Sequence, residues 1–562
     1  MVNIKARSYS PNTAEQLAAN GLHPLLAQLL AARGVMAEDA LDASLKHLIN
    51  PDLLTNNQQM AVAIANAIAA QQTILVVGDY DADGATATAL AVKGLRAMGA
   101  QVDFLVPNRF EYGYGLTPEI VALAQQSAPE IILTVDNGIA SIDGVAYANH
   151  VGIQVLVTDH HLPAEQTPAA SCIVNPNQRG CSFPSKHLAG VGVMFYVLMA
   201  LRAELKTRGF FADIPIFNLA ELLDLVALGT VADLVKLDAN NRILVEQGLR
   251  RIRAGAGCAG IQAILKFAGR DAQKVTSQDL GFYVGPRLNA AGRLDDMTLG
   301  IKCLLADNMQ DALRYAQTLH ELNAERRNIE GDMQDGARAV LDQAEVDASF
   351  SISIYQADWH QGVIGILASR IKEQYHRPVI AFADAGDGIL KGSGRSIPGL
   401  HLRDALDLVT KQHPQLILKF GGHAMAAGLS IREADFITFK TAFEQVVRAL
   451  ITAEELQESI ETDGGLDTQV MTLDTAKILA TQVWGQGFVP PLFYDQFRVL
   501  QQRILAEKHL KLTVEKNQQR FEAIYFNHRA QLPPFTHLVY QLQVNEFNGQ
   551  QTLQLQIKHA HA

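Results

Sequence analysis

The amino-acid sequence predicts an α/β protein with a parallel-sheet domain, a long helical connector, a second α/β domain and a small C-terminal β-barrel. Three observations support this fold class. Short β-rich runs alternate with helical stretches between residues 70 and 175. Residues 310–345 combine helical periodicity with mixed charge, a pattern typical of a connector. From about residue 495 the chain changes to alternating strands, which predicts a barrel.

The length and charge of the chain limit its organisation and its partners. A chain of 562 residues is too long for one hydrophobic core, so several domains are expected. The formal net charge of -11 argues against general coating of nucleic acid, and a polyanion would have to bind in a local basic groove. The four cysteines have neither metal-site nor redox spacing, and we expect them to be reduced.

No targeting or membrane-spanning pattern is visible in the sequence. The first residues, MVNIKARSYS, lack an apolar signal core. No run approaches the roughly 20 apolar residues that a membrane-spanning helix needs. We therefore expect a cytoplasmic protein that does not associate with membranes.

Polar side chains follow four runs of the predicted parallel sheet, at the point where each strand ends. GDYDADG follows TILVV, PNRFEYGYG follows QVDFLV, DNG follows IILTV, and TDHH follows IQVLV, while a fifth run, SCIV, comes later. Open α/β sheets bind their ligands at the carboxyl ends of the strands. The sequence therefore predicts the functional site at this edge of the sheet.

Three aspartates, Asp79, Asp81 and Asp83, lie within five positions after the first strand. They could be solvated or cap the following helix, or they could bind a divalent cation that relieves their mutual repulsion. The string resembles the first half of a calcium-binding EF-hand loop, but position twelve is Leu90 and a strand precedes it, so that interpretation fails. An aspartyl-nucleophile phosphatase, which begins with Asp-x-Asp after a strand, stays open at this point.

Further candidate ligands lie at other strand ends and in an apolar helix. Asp136 follows the third run, and Asp159, His160 and His161 follow the fourth. Asp233 lies in ELLDLVALGTVADLV, which reads as a buried helix or helix pair. Carboxylates with imidazoles and no cysteine suit Mg²⁺ or Mn²⁺ better than structural zinc, and two ions could share Asp136. Capping is the ordinary role of a lone TDHH, but four polar strand ends together favour a metal site.

The second half of the chain predicts an α/β unit and then a β-rich tail. FSISIYQ, the helix-like GVIGILASRIKEQY and PVIAFA build the unit, which carries the glycine-rich strings GSGRS and GGHAMAAG. Asn548 and Gly549 predict a two-residue hairpin turn in the tail. Tyr525 and Phe547 fit either the barrel core or an exposed stacking surface.

In its motifs the chain resembles the DHH phosphoesterases and, among them, the RecJ family of single-strand-specific exonucleases. DYDADG, VDNG, TDHH and GTVAD resemble the four metal-site motifs in order, GSGRS and GGHAMAAG resemble the DHHA1 domain, and PRLNAAGRLDD resembles the RecJ branch. The resemblance covers essentially the whole chain. It implies the following division: an N-terminal helical segment on the catalytic domain at 1–69, a DHH domain at 70–240, a helical connector at 241–345, a DHHA1 domain at 346–455 and an OB-fold at 456–562.

The resemblance also implies a metal site built from these residues. It assigns a pair of Mn²⁺ or Mg²⁺ ions and a catalytic role to one set of residues: Asp81, Asp83, Asp136, His160, His161 and Asp233. Asp79 and Asp159 are expected to be ligands or to lie beside them, as is His161. Many DHH members have a histidine a few residues before the paired aspartates, where this chain reads VVGDYD.

Basic and glycine-rich residues are the candidate substrate contacts. Arg109, Ser393 and Arg395 are expected to hold a terminal phosphate, although each arginine could instead form a surface salt bridge. Small residues in GGHAMAAG are expected to allow close approach of a phosphate at a helix start, at Gly421, Gly422 and His423. Arg287 and Arg293 are expected to line the path of the strand.

The resemblance implies a metal-dependent exonuclease that degrades single-stranded DNA from the 5′ end to 5′-mononucleotides, in DNA repair and recombination. The alternatives are a DHH phosphodiesterase of nano-RNA or cyclic dinucleotides and an inactive DNA-binding replication scaffold. The β-rich tail favours a long polymer, since an OB-fold groove holds a single strand by stacking and charge. We expect single-stranded DNA as the main partner, a helicase and a single-strand-binding protein as candidate protein partners, and a monomer.

Overall fold

The computed structural model describes residues 2–36, 42–112, 115–341 and 343–561, without the side chains of 109–110 and 343–345. The chain forms two compact units. One comprises residues 6–320 and 461–562, and the other comprises residues 1–5 and 321–460. None of the helices in the described ranges combines the length and apolar character needed to cross a bilayer.

The N-terminal segment contributes one strand and three helices. They are β1 (Asn3–Ala6), α1 (Pro11–Ala19), α2 (Pro24–Ala31) and α3 (Asn57–Ala69). Ser10 caps α1 by accepting a hydrogen bond from the Thr13 amide at 3.3 Å. The Asn57 side-chain amide donates to the Tyr196 carbonyl at 3.2 Å, which ties the start of α3 to the catalytic domain.

The first sheet is parallel throughout, and apolar residues fill both of its faces. Its strands are β2 (Thr73–Gly78), β3 (Gln101–Leu105), β4 (Ile131–Val135), β5 (Gln154–Thr158) and β6 (Cys172–Val174). They are ordered β3-β2-β4-β5-β6. The order reverses between β2 and β4, and ligands bind at the carboxyl side of such a switch point. The predicted parallel sheet is confirmed.

Helices surround this sheet and continue into the connector. The sheet helices are α4 (Ala82–Ala97), α5 (Arg109–Tyr112), α6 (Pro118–Ala124), α7 (Ile142–His150), α8 (Gly190–Thr207) and α9 (Leu223–Ala232). Before the long helix the connector has α10 (Ala239–Arg253), α11 (Ala259–Phe267), α12 (Ser277–Asp279), α13 (Gly285–Leu294) and α14 (Thr298–Leu305). A π-helical turn (Leu280–Val284) lies between α12 and α13. The long helix is α15 (Met309–Val340), and α16 (Gln343–Ala348) follows it. The long predicted helix is therefore confirmed, as α15.

The second sheet belongs to the unit that contains residues 321–460. Its elements are β7 (Ile352–Tyr355), α17 (Ile364–Tyr375), β8 (Val379–Asp384), β9 (Ile389–Arg395), α18 (Leu402–Gln412), β10 (Lys419–Gly422), β11 (Ala426–Arg432) and α19 (Phe436–Leu450). The strand order is β10-β11-β9-β8-β7, and only β7 and β8 are parallel. Phe382 packs edge-on against Phe439, with ring centroids 5.4 Å apart, and so joins α19 to the sheet. β12 (Ser459–Thr462) pairs with β1.

The C-terminal strands close into a five-stranded barrel, as predicted. The elements are α20 (Leu473–Ala480), β13 (Phe493–Leu505), β14 (His509–Lys516), β15 (Gln519–Tyr525), β16 (Phe535–Phe547) and β17 (Gln550–His561). Asn548 and Gly549 have φ values of 50° and 76° and form the predicted hairpin turn between β16 and β17. Tyr525 is half-buried and stacks on His528, whereas Phe547 is 72% exposed.

Buried polar contacts join the residues before the barrel strands to the N-terminal segment and to α12. The Arg33 guanidinium donates to both carboxylate oxygens of Asp463 at 2.9 Å, and both side chains are almost fully buried. The Ser277 hydroxyl donates to the Trp484 carbonyl at 2.7 Å. Arg7 Nη1 lies 3.6 Å from the same carboxylate, but only Arg33 bonds both of its oxygens, so the Arg33–Asp463 pair is the sensitive point of this contact.

We expect Arg33→Ala to lower the free energy of unfolding by about 3 kcal/mol, because Asp463 stays buried without its bidentate partner. Urea unfolding of the full chain measures this loss. Arg208→Ala is the control, since Arg208 pairs with Glu204 at the surface of α8 and should change stability by less than about 0.5 kcal/mol. Equal losses in the two variants would contradict the prediction.

Candidate metal centre

The loop after β2 brings two carboxylates to the carboxyl edge of the first sheet. Asp81 caps α4 with one oxygen, which accepts a hydrogen bond from the Gly84 amide at 2.9 Å. Asp79 accepts from the Tyr80 amide at 2.7 Å. Asp81 therefore does cap the helix, as one alternative expected, yet ligand atoms of Asp79, Asp81 and Asp136 also lie within 4.8 Å of one another.

Asp83 lies in the first turn of α4 and points to the start of α8. Its carboxylate accepts hydrogen bonds from the Gly190 amide at 2.6 Å and the Val191 amide at 3.0 Å. A helix N-terminus favours a negative charge at this position. A Cβ at Gly190 would lie 2.5 Å from the Asp136 Cβ, so only glycine fits between the two carboxylates.

His160 stands among three carboxylates that come from different elements. Its Nε2 lies 3.1 Å from Asp136 Oδ1, 3.5 Å from Asp233 Oδ2 and 4.0 Å from Asp83 Oδ2. Asp136 follows β4 with a left-handed φ of 62°, and its amide donates to the Thr158 carbonyl at the end of β5. Asp233 is the C-cap of α9. The strand ends and α9 therefore converge on one imidazole.

Asp159 holds the loop after β5 in position. One of its oxygens accepts from the His160 amide at 2.7 Å and from His161 Nδ1 at 2.8 Å, and the other accepts from the Ile139 amide at 2.9 Å. Burial raises the pKa of Asp159, but the hydrogen bond and charge of His161 outweigh burial and leave it below its usual value. Asp159 thus fixes the His160 backbone and the His161 ring.

Seven of the eight predicted metal-site residues form three overlapping groups, and within each group the ligand atoms lie within 4.8 Å of one another. We call these seven the carboxylate–histidine cluster: Asp79, Asp81, Asp83, Asp136, His160, His161 and Asp233. Asp136 belongs to two of the groups, and so does His160. Oxygen-rich groups with an imidazole are suitable ligands for Mg²⁺ or Mn²⁺.

The protonation of the cluster shows how strongly its charges oppose one another. Burial and the charge of Asp81 raise the pKa of Asp83 to about 7. Burial and the charge of Asp83 raise the pKa of Asp136 and of Asp233 well above the usual carboxyl range. A divalent cation would stabilise the ionised carboxylates, so these residues fit a metal chemically as well as geometrically.

The predicted substrate residues lie in several places. Arg287 is buried in α13 and donates to the Tyr283 carbonyl at 2.6 Å and to His320 Nδ1 at 3.3 Å. Arg293 lies in the last turn of α13. The Arg109 side chain lies outside the described residues. None of these three belongs to the metal-ligand groups found among the described residues.

Ser393 and Arg395 lie together at the end of β9 in the other unit. Arg395 Nη1 donates to the Gly394 carbonyl at 2.8 Å and to the Ser393 hydroxyl at 3.3 Å. A Cβ at Gly365, in the first turn of α17, would lie 2.9 Å from Ser393 Oγ and 3.0 Å from Arg395 Nη2. The serine and the arginine therefore pack directly against the start of a helix.

The expectation that GGHAMAAG forms a helix start is wrong. Gly421 and Gly422 end β10, the His423 amide donates to the Ala426 carbonyl, and β11 follows. The string is therefore a β-hairpin, and Ala426 on β11 pairs with Arg395 on β9. Gly422 has a left-handed φ of 143°, and small side chains allow neighbouring strands to approach closely at this turn.

Several supporting residues were not predicted from the sequence. Asn289 on α13 accepts a hydrogen bond from the Ala82 amide at 2.8 Å and so fixes the first turn of α4. The Asn137 side chain donates to the carbonyls of Val77 and Val135 and ties β2 to β4. PRLNAAGRLDD contained Asn289, but its partner is 207 positions away, so only the tertiary structure could reveal the contact.

Comparison with known proteins matches three parts of the chain to family models. The model of the DHH family, N-terminal domain, matches residues 73–230, the DHHA1 domain matches 347–449, and the RecJ OB domain matches 462–559. The single-stranded-DNA-specific exonuclease RecJ of Dickeya dadantii is 52% identical over 99% of both chains. This chain belongs to the RecJ family.

Other RecJ proteins are similar to this chain in sequence and in fold. RecJ of Escherichia coli is 50% identical, and the match covers 95% of each chain. The crystal structure of Thermus thermophilus RecJ in complex with Mn²⁺ matches 100% of this chain and 80% of its own, with a TM-score of 0.84 at 29% identity. The Mg²⁺ complex of the same protein gives a TM-score of 0.79 at 27% identity. The RecJ fold is therefore present along the whole chain.

We expect Gly190→Ala to weaken Mn²⁺ binding by about ten- to a hundredfold, because a methyl group would displace Asp136 and disturb the amide that holds Asp83. Calorimetric titration of Mn²⁺ into the parent and the variant measures the change. Gly331→Ala in α15 is the control, since a Cβ there meets no atom within 4 Å. Unchanged Mn²⁺ affinity in Gly190→Ala would show that this close approach does not shape the site.

Proposed function

We propose that this RecJ-family chain is a metal-dependent exonuclease that degrades single-stranded DNA from the 5′ end and releases 5′-mononucleotides. The observation that carries the proposal is that Asp136 and His160 are each shared between ligand groups, which suits two cations bound side by side. The curated relatives are named single-stranded-DNA-specific exonucleases, and Thermus thermophilus RecJ is described in complex with Mn²⁺ and with Mg²⁺. These names support the substrate and the metals.

Different residues of the cluster would hold the two cations. Asp79 and Asp81 would hold one cation and Asp83, His160 and Asp233 the other, with Asp136 between them. When bound, such cations activate water and stabilise negative charge on the phosphodiester oxygens. The Gly190 and Val191 amides keep Asp83 in place, and Asn289 keeps the α4 turn in place, so the ligands are preorganised before a cation or a strand arrives.

Asp159 and His161 act as a pair beside this cluster. The Asp159 carboxylate accepts from His161 Nδ1, which fixes the orientation of the ring. Burial lowers the pKa of His161, but the hydrogen bond and charge of Asp159 outweigh burial and raise it to about 9. We assign Asp159 a positioning role, and we keep His161 as a candidate ligand because its ring nitrogen lies in one group with ligand atoms of Asp136 and His160.

Ser393 and Arg395 are proposed to bind the terminal 5′ phosphate. Arg395 is half-buried, burial lowers the pKa of its guanidinium, and the ion pairs among the described residues do not include it. Both side chains pack against Gly365 in the first turn of α17, where a Cβ would lie 2.9 Å from Ser393 Oγ and 3.0 Å from Arg395 Nη2. A phosphate would pair with the Arg395 guanidinium and accept a hydrogen bond from the Ser393 hydroxyl.

The barrel and the cluster together favour this function over the alternatives. A nano-RNA or cyclic dinucleotide has no use for a five-stranded barrel that can hold an extended strand. The intact cluster argues against an inactive scaffold. An aspartyl nucleophile would leave His160 and the shared Asp136 without a role.

Asp136→Ala should reduce cleavage of single-stranded DNA to the background rate while DNA binding persists, because both proposed cation positions lose the shared carboxylate. The measurement is single-turnover hydrolysis, with binding measured separately. Asp143→Ala, an exposed carboxylate of the same domain, is the control and should match the parent. Near-normal turnover of Asp136→Ala in saturating Mn²⁺ would overturn the assignment.

Arg395→Ala should reduce the preference for a 5′-phosphate over a 5′-hydroxyl strand by about ten- to a hundredfold, the range of a charge-assisted hydrogen-bond pair. Turnover of a bound strand should change less. Cleavage of both substrates by the parent and the variant measures the preference. Arg432→Ala is the control, because Arg432 lies on the neighbouring strand and pairs with Asp435 at the surface. A variant that keeps the parent's preference would place the phosphate site elsewhere, for instance at Arg109 or Arg287.

The substrate class is tested by comparing two substrates of the parent protein. We expect faster hydrolysis of a long 5′-phosphorylated DNA strand than of a dinucleotide, because only the long strand can occupy the barrel and the cluster together. Steady-state rates with each substrate give the comparison. A preference for the dinucleotide would favour the nano-RNA or cyclic dinucleotide alternative.

A further inference from the structure

Two large apolar side chains, Leu234 and Phe282, lie exposed on segments that pack against each other at the end of α9, the helix that presents the candidate ligand Asp233. Leu234 directly follows the candidate ligand Asp233, has a left-handed φ of 60° and is 69% exposed. Phe282 lies in the π-helical turn and is 76% exposed. Isolated exposed apolar residues are common on proteins, but two of them on segments packed at the end of the helix that presents Asp233 require an explanation. We call Leu234 and Phe282 the apolar rim.

The packing of α9 against the π-helical turn joins the apolar rim to the cluster. A Cβ at Gly281 would lie 3.2 Å from Val231 Cγ1, and one at Gly285 would lie 3.1 Å from the Ala232 Cβ. Val231 and Ala232 are the last residues of α9 before Asp233. The residue next to Phe282 therefore contacts the helix turn that presents a candidate metal ligand.

The backbone around Phe282 is held from both sides while its ring faces solvent. Arg270 donates to Asp279 at 2.7 Å, and its guanidinium carbon lies 4.6 Å from the centroid of the Tyr283 ring. Arg287 donates to the Tyr283 carbonyl at 2.6 Å. Such anchoring presents the exposed ring at little entropic cost on binding. π-Helical turns are rare and are frequently found at functional sites.

We infer that Phe282, supported by Leu234, stacks on an unpaired nucleobase of the strand that enters the carboxylate–histidine cluster. The inference rests on the proposed function, and it adds a residue that positions the substrate through its bases. Every base offers an aromatic face, so this contact is independent of sequence. A base inside a duplex is already stacked and paired, so the apolar rim selects single strands. Arg287 then acts as a positioning residue beneath the turn.

The test combines Phe282 variants with strands that lack one base. In the parent, an abasic residue near the 5′ end should slow single-turnover cleavage about tenfold, the effect of losing one base–aromatic stack. Phe282→Ala should cleave the normal strand about tenfold more slowly and should no longer distinguish it from the abasic strand. Phe282→Trp should restore both the rate and the discrimination, whereas Phe282→Leu should not, because only a planar ring stacks.

Two controls separate stacking from other effects. Ile437→Ala removes an equally exposed apolar side chain from α19 and should leave both rates at the parent level. Quenching of a 2-aminopurine base in a strand bound without added metal should fall in Phe282→Ala and return in Phe282→Trp. Equal discrimination and equal quenching in the parent and in Phe282→Ala would overturn the inference. A parent that binds and quenches the strand but hydrolyses none of it would instead overturn the proposed function.

Discussion

The repulsion among buried carboxylates at one edge of a parallel sheet is the constraint on which the rest of this structure depends. Asp83 and Asp136 are almost fully buried, and each raises the cost of ionising its neighbours. Without a counter-charge such groups stay protonated or separate. The fold keeps them together with the α8 amides, the His160 imidazole and glycines where any side chain would collide. The site is therefore built for cations.

In the proposed function, parts of the structure outside the cluster select the substrate, because cations by themselves do not. Cations alone would act on any phosphodiester that reached them. In the proposed function the half-buried Arg395, beside Ser393, would bind an anion, the barrel would hold an extended strand, and the exposed Phe282 ring would stack on an unpaired base. Under this proposal each would recognise a different chemical feature of one substrate: its terminal phosphate, its length and its exposed bases.

Much of this could be predicted from the sequence because parallel strands end at a common edge. The polar residues after β2, β4 and β5 converge as expected, and Asp233 joins them from the end of a buried helix. The supporting residues could not be predicted, since Gly190 meets Asp83 across 107 positions of chain. GGHAMAAG was misassigned because glycine-rich strings fit helix starts and tight hairpins equally well, and only the pairing with β9 decides between them. Arg287 is basic in sequence, but its guanidinium is largely taken up by the protein itself.

Anomalous diffraction from a crystal of the full chain soaked in Mn²⁺ tests the central claim most directly. The account predicts two peaks per chain, one beside Asp79 and Asp81 and the other beside Asp83, His160 and Asp233, with Asp136 contacting both. A single peak, or peaks that leave Asp136 without contact to either ion, would contradict it.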